Sequence, residues 1–115
     1  MNVTAEPQHE RSEYRIVYPR SIRPQLRRGT EVFQVADVSE HGVRVLEPQG
    51  TMREIGDRFE GQLPLVHGPE VPIRGRIVRR FDDGFAIEFD EDAHIILLHI
   101  IGEQRHLREL FADFR

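Results

Sequence analysis

Apolar residues recur at every second position over much of this chain, and this alternation constrains its fold more than any other feature. Phe85, Ile87 and Phe89, for example, alternate with an alanine and two acidic residues, a period typical of strands that bury one face. Turn sequences such as Asp-Asp-Gly at 82–84 separate the alternating segments. The six predicted strands cover residues 21–27, 31–38, 43–46, 58–66, 71–78 and 85–90. Short antiparallel strands at this regular spacing favour a small barrel, with Pro24 marking an edge or a bulge.

The period changes near the C-terminus, where apolar residues recur at intervals of three and four and predict a helix. The residues at this spacing are Leu97, Ile100, Ile101, Leu107, Leu110, Phe111 and Phe114. We expect Asp90 or Asp92 to cap the helix and Gly102 to weaken or split it. Residues 94–101 are apolar nearly all round, which predicts burial in the domain or in a partner contact. The predicted fold is therefore dominated by β-structure: a six-stranded antiparallel barrel with a C-terminal α-helix.

Composition narrows the class of protein. A chain of 115 residues fits one domain with a modest core. It has no cysteine, so thiolate catalysis and thiolate metal ligation are excluded. The six histidines show no metal-ligand spacing, and neither a G-x-S-x-G sequence nor a phosphate loop is present. We therefore expect no catalytic residues, metal or cofactor. No apolar run has the length of a membrane span and no signal-peptide pattern is present, which predicts a cytoplasmic protein without membrane insertion.

Charge is unevenly distributed along the sequence. The formal net charge is −4, yet the segment from Arg11 to Arg28 holds six arginines and a single acid, Glu13. A net-acidic protein is poorly suited to bind a nucleic-acid polymer. A local cluster of arginines is well suited to a small anion, because the guanidinium group is a planar fork of donors.

Two short motifs supply the groups that a guanine nucleotide requires. Arg11 and Arg15 form R-x-x-x-R, and Asp37, Ser39 and Gly42 form D-x-S-x-x-G at the bend of a predicted hairpin; Asp37 follows Arg15 by 22 positions. An arginine fork matches guanine O6 and N7, and a carboxylate accepts hydrogen bonds from the N1 and N2 edge. Phosphates take charge-assisted donors. The glycine allows a tight turn and a close approach of ligand.

Both motifs, in this order and at this spacing, resemble the PilZ domain, a bacterial receptor module for cyclic di-GMP. The similarity covers roughly residues 10–114. It includes the Tyr14-Arg15 pair, the strand–turn–strand at 35–45 and the closing hairpin at 75–89. Each motif alone is weak, and their combination is specific.

The resemblance implies a layout and a role for each motif residue. Residues 1–10 would form a flexible tail and 11–115 the PilZ domain, divided into a ligand-binding arm (11–20), the barrel (21–90) and a helical segment (91–115). Arg11 and Arg15 would clamp guanine edges and phosphates. Asp37 and Ser39 would hold the ligand from the barrel surface, and Gly42 would shape the turn. The arm would close over cyclic di-GMP and signal to a separate, unidentified protein in a motility, biofilm or pilus-type pathway.

The sequence departs from the family pattern at one position, and other interpretations of the motif residues stay open. Many family members carry a further arginine just before R-x-x-x-R, where this chain has Glu10; the carboxylate favours one bound ligand over an intercalated pair. The arginines of the first motif also fit a solvated surface, and Asp37 and Ser39 fit a turn that bonds its own backbone. The alternative function is a PilZ-fold protein–protein interaction module without a ligand, as in pilus assembly.

Overall fold

Six strands pair edge to edge and close on themselves, which confirms the predicted antiparallel barrel. The computed structural model describes residues 15–111. The strands are β1 (Ile16–Val17), β2 (Gln25–Arg28), β3 (Glu31–Val38), β4 (Gly42–Leu46), β5 (Arg58–Pro64), β6 (Glu70–Phe81) and β7 (Gly84–Phe89). Around the barrel they follow the order β3, β2, β5, β6, β7, β4, and β4 pairs again with β3. Closure leaves no long unpaired edge among these six strands.

A seventh strand, β1, lies beyond the six that the alternation predicts. It pairs with the end of β3, while β2 pairs with the beginning of the same strand. The predicted strand over 21–27 is divided: Arg20–Ile22 form a short 3₁₀ helix, and the strand itself begins at Gln25. Pro24 explains the division, because it has no N–H to donate to a strand ladder. Its carbonyl still accepts a hydrogen bond from the Val35 N–H at 2.9 Å. Two residues are too few to show a period, so β1 has no sequence signal.

The barrel interior is filled by the inward residues of every strand. Three aromatic rings, those of Phe33, Phe59 and Phe85, pack with their centroids 5.7–5.8 Å apart. The guanidinium group of Arg53 lies 5.0 Å from the Phe33 centroid and 5.5 Å from that of Phe85, so the loop after β4 covers this part of the core. Edge-to-face rings and a stacked arginine both use the quadrupole of the aromatic face.

One α-helix follows the barrel, as predicted. Helix α1 (Leu97–Leu110) is a single helix of 14 residues, and it passes through Gly102 without a break. Ile100 and Leu107 are fully buried and belong to the same core cluster as the strands. Packing of this face against the barrel supplies more stability than the roughly 1 kcal/mol that a mid-helix glycine costs.

The predicted cap of this helix is wrong. The N-cap residue is Ile96, and it makes no side-chain cap hydrogen bond. Asp90 instead accepts two hydrogen bonds from Arg58, at 3.1 and 2.6 Å, and Asp92 accepts one from Arg74 at 2.7 Å. Pairing with arginines of β5 and β6 holds both carboxylates on the barrel. Asp92 lies within the 3₁₀ helix Glu91–Ala93, and a short extended stretch separates this helix from α1.

The apolar stretch before and within α1 is buried only in part. Ile95 and Ile100 are buried, whereas Ile96 and Leu98 are 56% and 74% exposed. Within the domain, the burial predicted for residues 94–101 therefore does not extend to these two side chains, and the partner contact that was the other expectation stays a prediction. No helix within residues 15–111 has the length and apolar character needed to cross a membrane.

A buried carboxylate joins the start of the described chain to α1. Glu103 is 0% exposed and accepts three hydrogen bonds: from the Tyr18 hydroxyl at 2.5 Å, the Val66 N–H at 2.7 Å and the His67 N–H at 2.6 Å. Burial, together with the charge and hydrogen bond of Glu103, raises the pKa of Tyr18, so the phenol stays a donor. One side chain thus links the segment after β1, the β5–β6 connection and α1.

We predict that Glu103→Leu lowers the free energy of unfolding by about 3 kcal/mol or more. It leaves the buried Tyr18 hydroxyl and two part-buried backbone N–H groups without their acceptor, and an unpaired buried group costs about 1–3 kcal/mol. Tyr18→Phe removes the hydroxyl donor itself and leaves the two N–H bonds to Glu103 in place. It should lower the free energy of unfolding by only about 1–2 kcal/mol. Urea unfolding followed by circular dichroism measures both. A Glu103→Leu protein as stable as the parent would show that the network contributes nothing.

Candidate functional site

An open pocket of about 440 Å³ lies on the outer surface of the barrel, over strands β3, β4, β6 and β7. Arg15, Asp37, Ser39 and Gly42 all line it. Arg11, the fifth predicted ligand-binding residue, lies outside the described residues, as do Glu10 and the predicted tail. The fold therefore brings the second arginine of the first motif to the three motif residues of the second.

A β-bulge is the reason that Asp37 faces this pocket. Val35 pairs with Val45 and Asp37 pairs with Arg44, so Ala36 has no partner of its own on β4. An extra residue shifts the alternation of a strand by one position. Val35 and Ala36 are consequently both buried, and Asp37, which an unbroken alternation would point into the core, lies on the outer surface.

Arg15 and Asp37 form an ion pair in the pocket. Arg15 Nη1 donates to Asp37 Oδ1 at 2.8 Å, and the two side chains are 48% and 13% exposed. The backbone after Arg15 is held in place, because Ile16 is fully buried and Val17 pairs with Asp37 in the β1–β3 ladder. The short strand that the sequence does not reveal therefore positions the arginine of the first motif.

The carboxyl group of Asp37 is pulled in two directions. Burial raises its pKa above the ordinary value, while the charges of Arg15 and Arg44 and the hydrogen bond from Arg15 act to lower it. Burial is the larger effect. Because the raised pKa makes the Asp37 carboxylate easier to protonate, any interaction that requires its charge is lost at a higher pH than with an ordinary aspartate.

The turn between β3 and β4 is fixed from several sides. The Ser39 N–H donates to the Gly42 carbonyl at 2.9 Å. The carbonyls of the two residues between them accept from the Phe89 N–H at 2.8 Å and the Ile95 N–H at 2.9 Å. The end of β7 and the segment leading to α1 thus hold the turn that carries the second motif.

Gly42 is required by close packing rather than by turn conformation. Its φ is not positive, unlike that of Gly29, Gly50, Gly56 and Gly84. A Cβ at this position would lie 2.8 Å from the Ile87 carbonyl oxygen of the neighbouring strand. The glycine of the motif therefore lets β4 approach β7 closely.

The pocket floor is a row of outward residues on four adjacent strands. Asp37 pairs with Arg44 across β3 and β4, Arg44 with Ala86 across β4 and β7, and Ala86 with Arg79 across β7 and β6. The small Ala86 side chain leaves space between the two arginines. None of these three additional residues belongs to a motif.

Phe81 contacts both arginines of this row. The Arg44 guanidinium lies 4.4 Å from the Phe81 ring centroid and donates to Asp83 at 2.9 Å. The Arg79 guanidinium lies 5.3 Å from the same centroid. Both distances are within the range of cation–π attraction. Arg80, the next residue, does not line the pocket and donates to the Thr51 carbonyl at 3.1 Å instead.

The set of groups in the pocket is suited to binding. Three guanidinium groups offer donors to anions and to guanine O6 and N7. The one hydrogen bond that Asp37 accepts within residues 15–111 is on Oδ1, and a carboxylate has about four acceptor positions. Asp37 can therefore hold Arg15 and accept from a ligand N–H at the same time.

Comparison with known proteins gives a family match that spans both motifs. A family model described as PilZ domain matches residues 9–103, which is most of the chain and includes all five motif residues. No curated protein matches the sequence.

We predict opposite effects for two glycine substitutions. Gly42→Ala forces β4 away from the Ile87 carbonyl and should lower the free energy of unfolding by about 1–3 kcal/mol. Gly102→Ala is the control, because its Cβ would meet only His67 Cδ2 at 3.8 Å; it should raise stability by about 0.5–1 kcal/mol through helix propensity. Thermal unfolding compares the two variants with the parent, and a neutral Gly42→Ala would contradict the packing argument.

Proposed function

Because the chain belongs to the PilZ domain family, we propose that it is a receptor for cyclic di-GMP that passes a conformational signal to a separate protein. PilZ domains are receptor or adaptor modules, and we assign this chain no catalytic role. The observation that carries the proposal is the meeting of Arg15, Asp37, Ser39 and Gly42 in one pocket.

The pocket chemistry supports a guanine dinucleotide. Asp37 accepts hydrogen bonds from the N1 and N2 edge of a guanine, and Arg15 together with Arg11 contacts guanine acceptors and phosphate oxygens. Ser39 adds a hydroxyl at the mouth of the turn. The ligand is held between the barrel surface and the arm, as the order of the two motifs in the family implies.

The signal arises from the arm, residues 11–20, which contains β1. Ile16 and Tyr18 are 0% and 3% exposed, so the arm divides into a part anchored in the barrel and a part before Ile16. Ligand binding adds contacts to Arg15 beyond the Asp37 pair and favours the arrangement in which both arginines face the pocket. A ligand shifts such an equilibrium only through its differential affinity for the two arrangements.

A second candidate function is a PilZ-fold protein interaction module that binds no nucleotide. The 2.8 Å ion pair between Arg15 and Asp37 favours it, because the two charges would then neutralise each other and serve only to stabilise the fold. Titration with cyclic di-GMP separates the two functions, because only the receptor produces a saturable heat.

We predict that isothermal titration of the parent with cyclic di-GMP gives one ligand per chain. Arg15→Ala and Asp37→Ala should each weaken binding by about 1–3 kcal/mol, roughly 5- to 150-fold in Kd, because each removes a polar partner of the guanine or phosphate. Arg105→Ala, an exposed arginine on α1, is the control and should bind like the parent. Circular dichroism verifies that each variant is folded. A parent that binds no cyclic di-GMP would favour the interaction module, and two ligands per chain would refute the expectation based on Glu10.

We predict that cyclic di-GMP affinity falls as the pH is lowered from about 7 to about 4. Burial raises the pKa of Asp37, and only the ionised carboxylate accepts both guanine N–H groups. The loss should therefore begin at a higher pH than it would for an ordinary aspartate.

Protonation of Asp37 affects protein stability with the opposite sign to its effect on ligand affinity. In the pH range between its unfolded and folded pKa, the folded protein holds the Asp37 proton more tightly, so this group's contribution to stability falls as pH rises.

Titrations on a His41→Gln background remove the nearby histidine that also lines the pocket. An affinity independent of pH in that background would contradict a charged contact from Asp37.

A further inference from the structure

Among the described residues 15–111, Arg79 is the pocket arginine without an acidic partner. Arg15 pairs with Asp37 and Arg44 with Asp83, both within 3 Å. Arg79 makes no ion pair with any side chain among residues 15–111, where its recorded contact is the Phe81 ring at 5.3 Å. Its guanidinium charge is therefore available to an anion in the pocket that it lines.

A second bulge brings Arg79 to this surface. Ile77 pairs with Ile87 and Arg79 with Ala86, which leaves Val78 as an extra residue in β6. Ile73 and Ile77 are buried, so an unbroken alternation would point Arg79 into the core. The bulge reverses the alternation, and Arg79 is exposed.

The position of Arg79 complements that of the motif residues. It lies three strands away from Asp37 along the row through Arg44 and Ala86. Three strand spacings are roughly 14 Å along a flat sheet and less on a curved barrel. Arg79 therefore faces the part of a bound ligand that lies away from Asp37.

We propose that Arg79 is a third ligand-binding arginine and that it contacts a phosphate group of the bound cyclic dinucleotide. The inference rests on the proposed receptor function and adds a contact from the opposite wall of the same pocket. Phosphate is the chemistry that fits, because an uncompensated guanidinium gains most from a formal negative charge. Glu88 of β7 also lines the pocket, but its carboxylate lies 4.0 Å from the Arg76 guanidinium and forms no ion pair with Arg79.

The test is titration of the full chain with cyclic di-GMP, comparing Arg79→Gln, Arg79→Lys and the matched control Arg76→Gln. Arg76 lies on the same strand, is 61% exposed and lines the neighbouring groove rather than this pocket. Arg79→Gln should raise Kd about 10- to 100-fold, the effect of losing a charge-assisted hydrogen bond. Arg79→Lys keeps a point charge for phosphate and should stay within about threefold of the parent, as should Arg76→Gln.

Salt dependence gives a readout that a purely structural role would not change. A lost charge contact makes Kd less sensitive to ionic strength, so the salt dependence of Arg79→Gln should be shallower than that of the parent and of Arg76→Gln. If Arg79→Gln binds like Arg76→Gln, the inference is wrong while the receptor function stands. If Arg79→Lys loses as much as Arg79→Gln and both variants keep the salt dependence of the parent, the contact is not with a charged group and the phosphate assignment is overturned. A parent that binds no cyclic di-GMP overturns the receptor function and this inference with it.

Discussion

Strict alternation of side chains in a closed barrel is the constraint on which the rest of this structure depends. Every strand residue points either into the filled core or out to solvent, and closure removes any freedom to slip by one position. Two bulges, at Ala36 and Val78, are the places where the alternation reverses. Each costs a ladder position and turns one polar side chain, Asp37 or Arg79, away from the core. The pocket lies between them, so its chemistry is a product of these two local irregularities.

The pocket combines groups that differ in how firmly they are held. Arg44 is fixed by Asp83 and by the Phe81 ring, and Asp37 is shielded beneath Arg15. Such preorganised donors and acceptors lose little entropy when a ligand binds. The pocket is therefore a barrel surface whose charged groups are already in place.

Glu103 connects this surface to the other end of the described chain. Its carboxylate holds Tyr18, three positions after Arg15, and it is part of α1. A buried carboxylate with three donors is costly to disturb, so the base of the arm and the helix act as one packed unit. Tyr18 directly follows β1, so this network anchors the end of the short strand that positions Arg15 in the pocket.

The barrel, the C-terminal helix and the two motifs can be predicted from the sequence, because a period of two, a change to helical spacing and glycine-marked turns are local signals. The same signals predict that the second motif lies at a hairpin bend. The set of residues that share the pocket depends instead on how the strands pair in three dimensions. A two-residue strand has no period, a bulge has no residue signature at Ala36 or Val78, and the caps expected of Asp90 and Asp92 were lost to arginines distant in sequence. Pairing between neighbouring strands brings Arg44, Arg79 and Phe81 to the site. This pairing depends on the register between strands, which cannot be read from the sequence of any one strand.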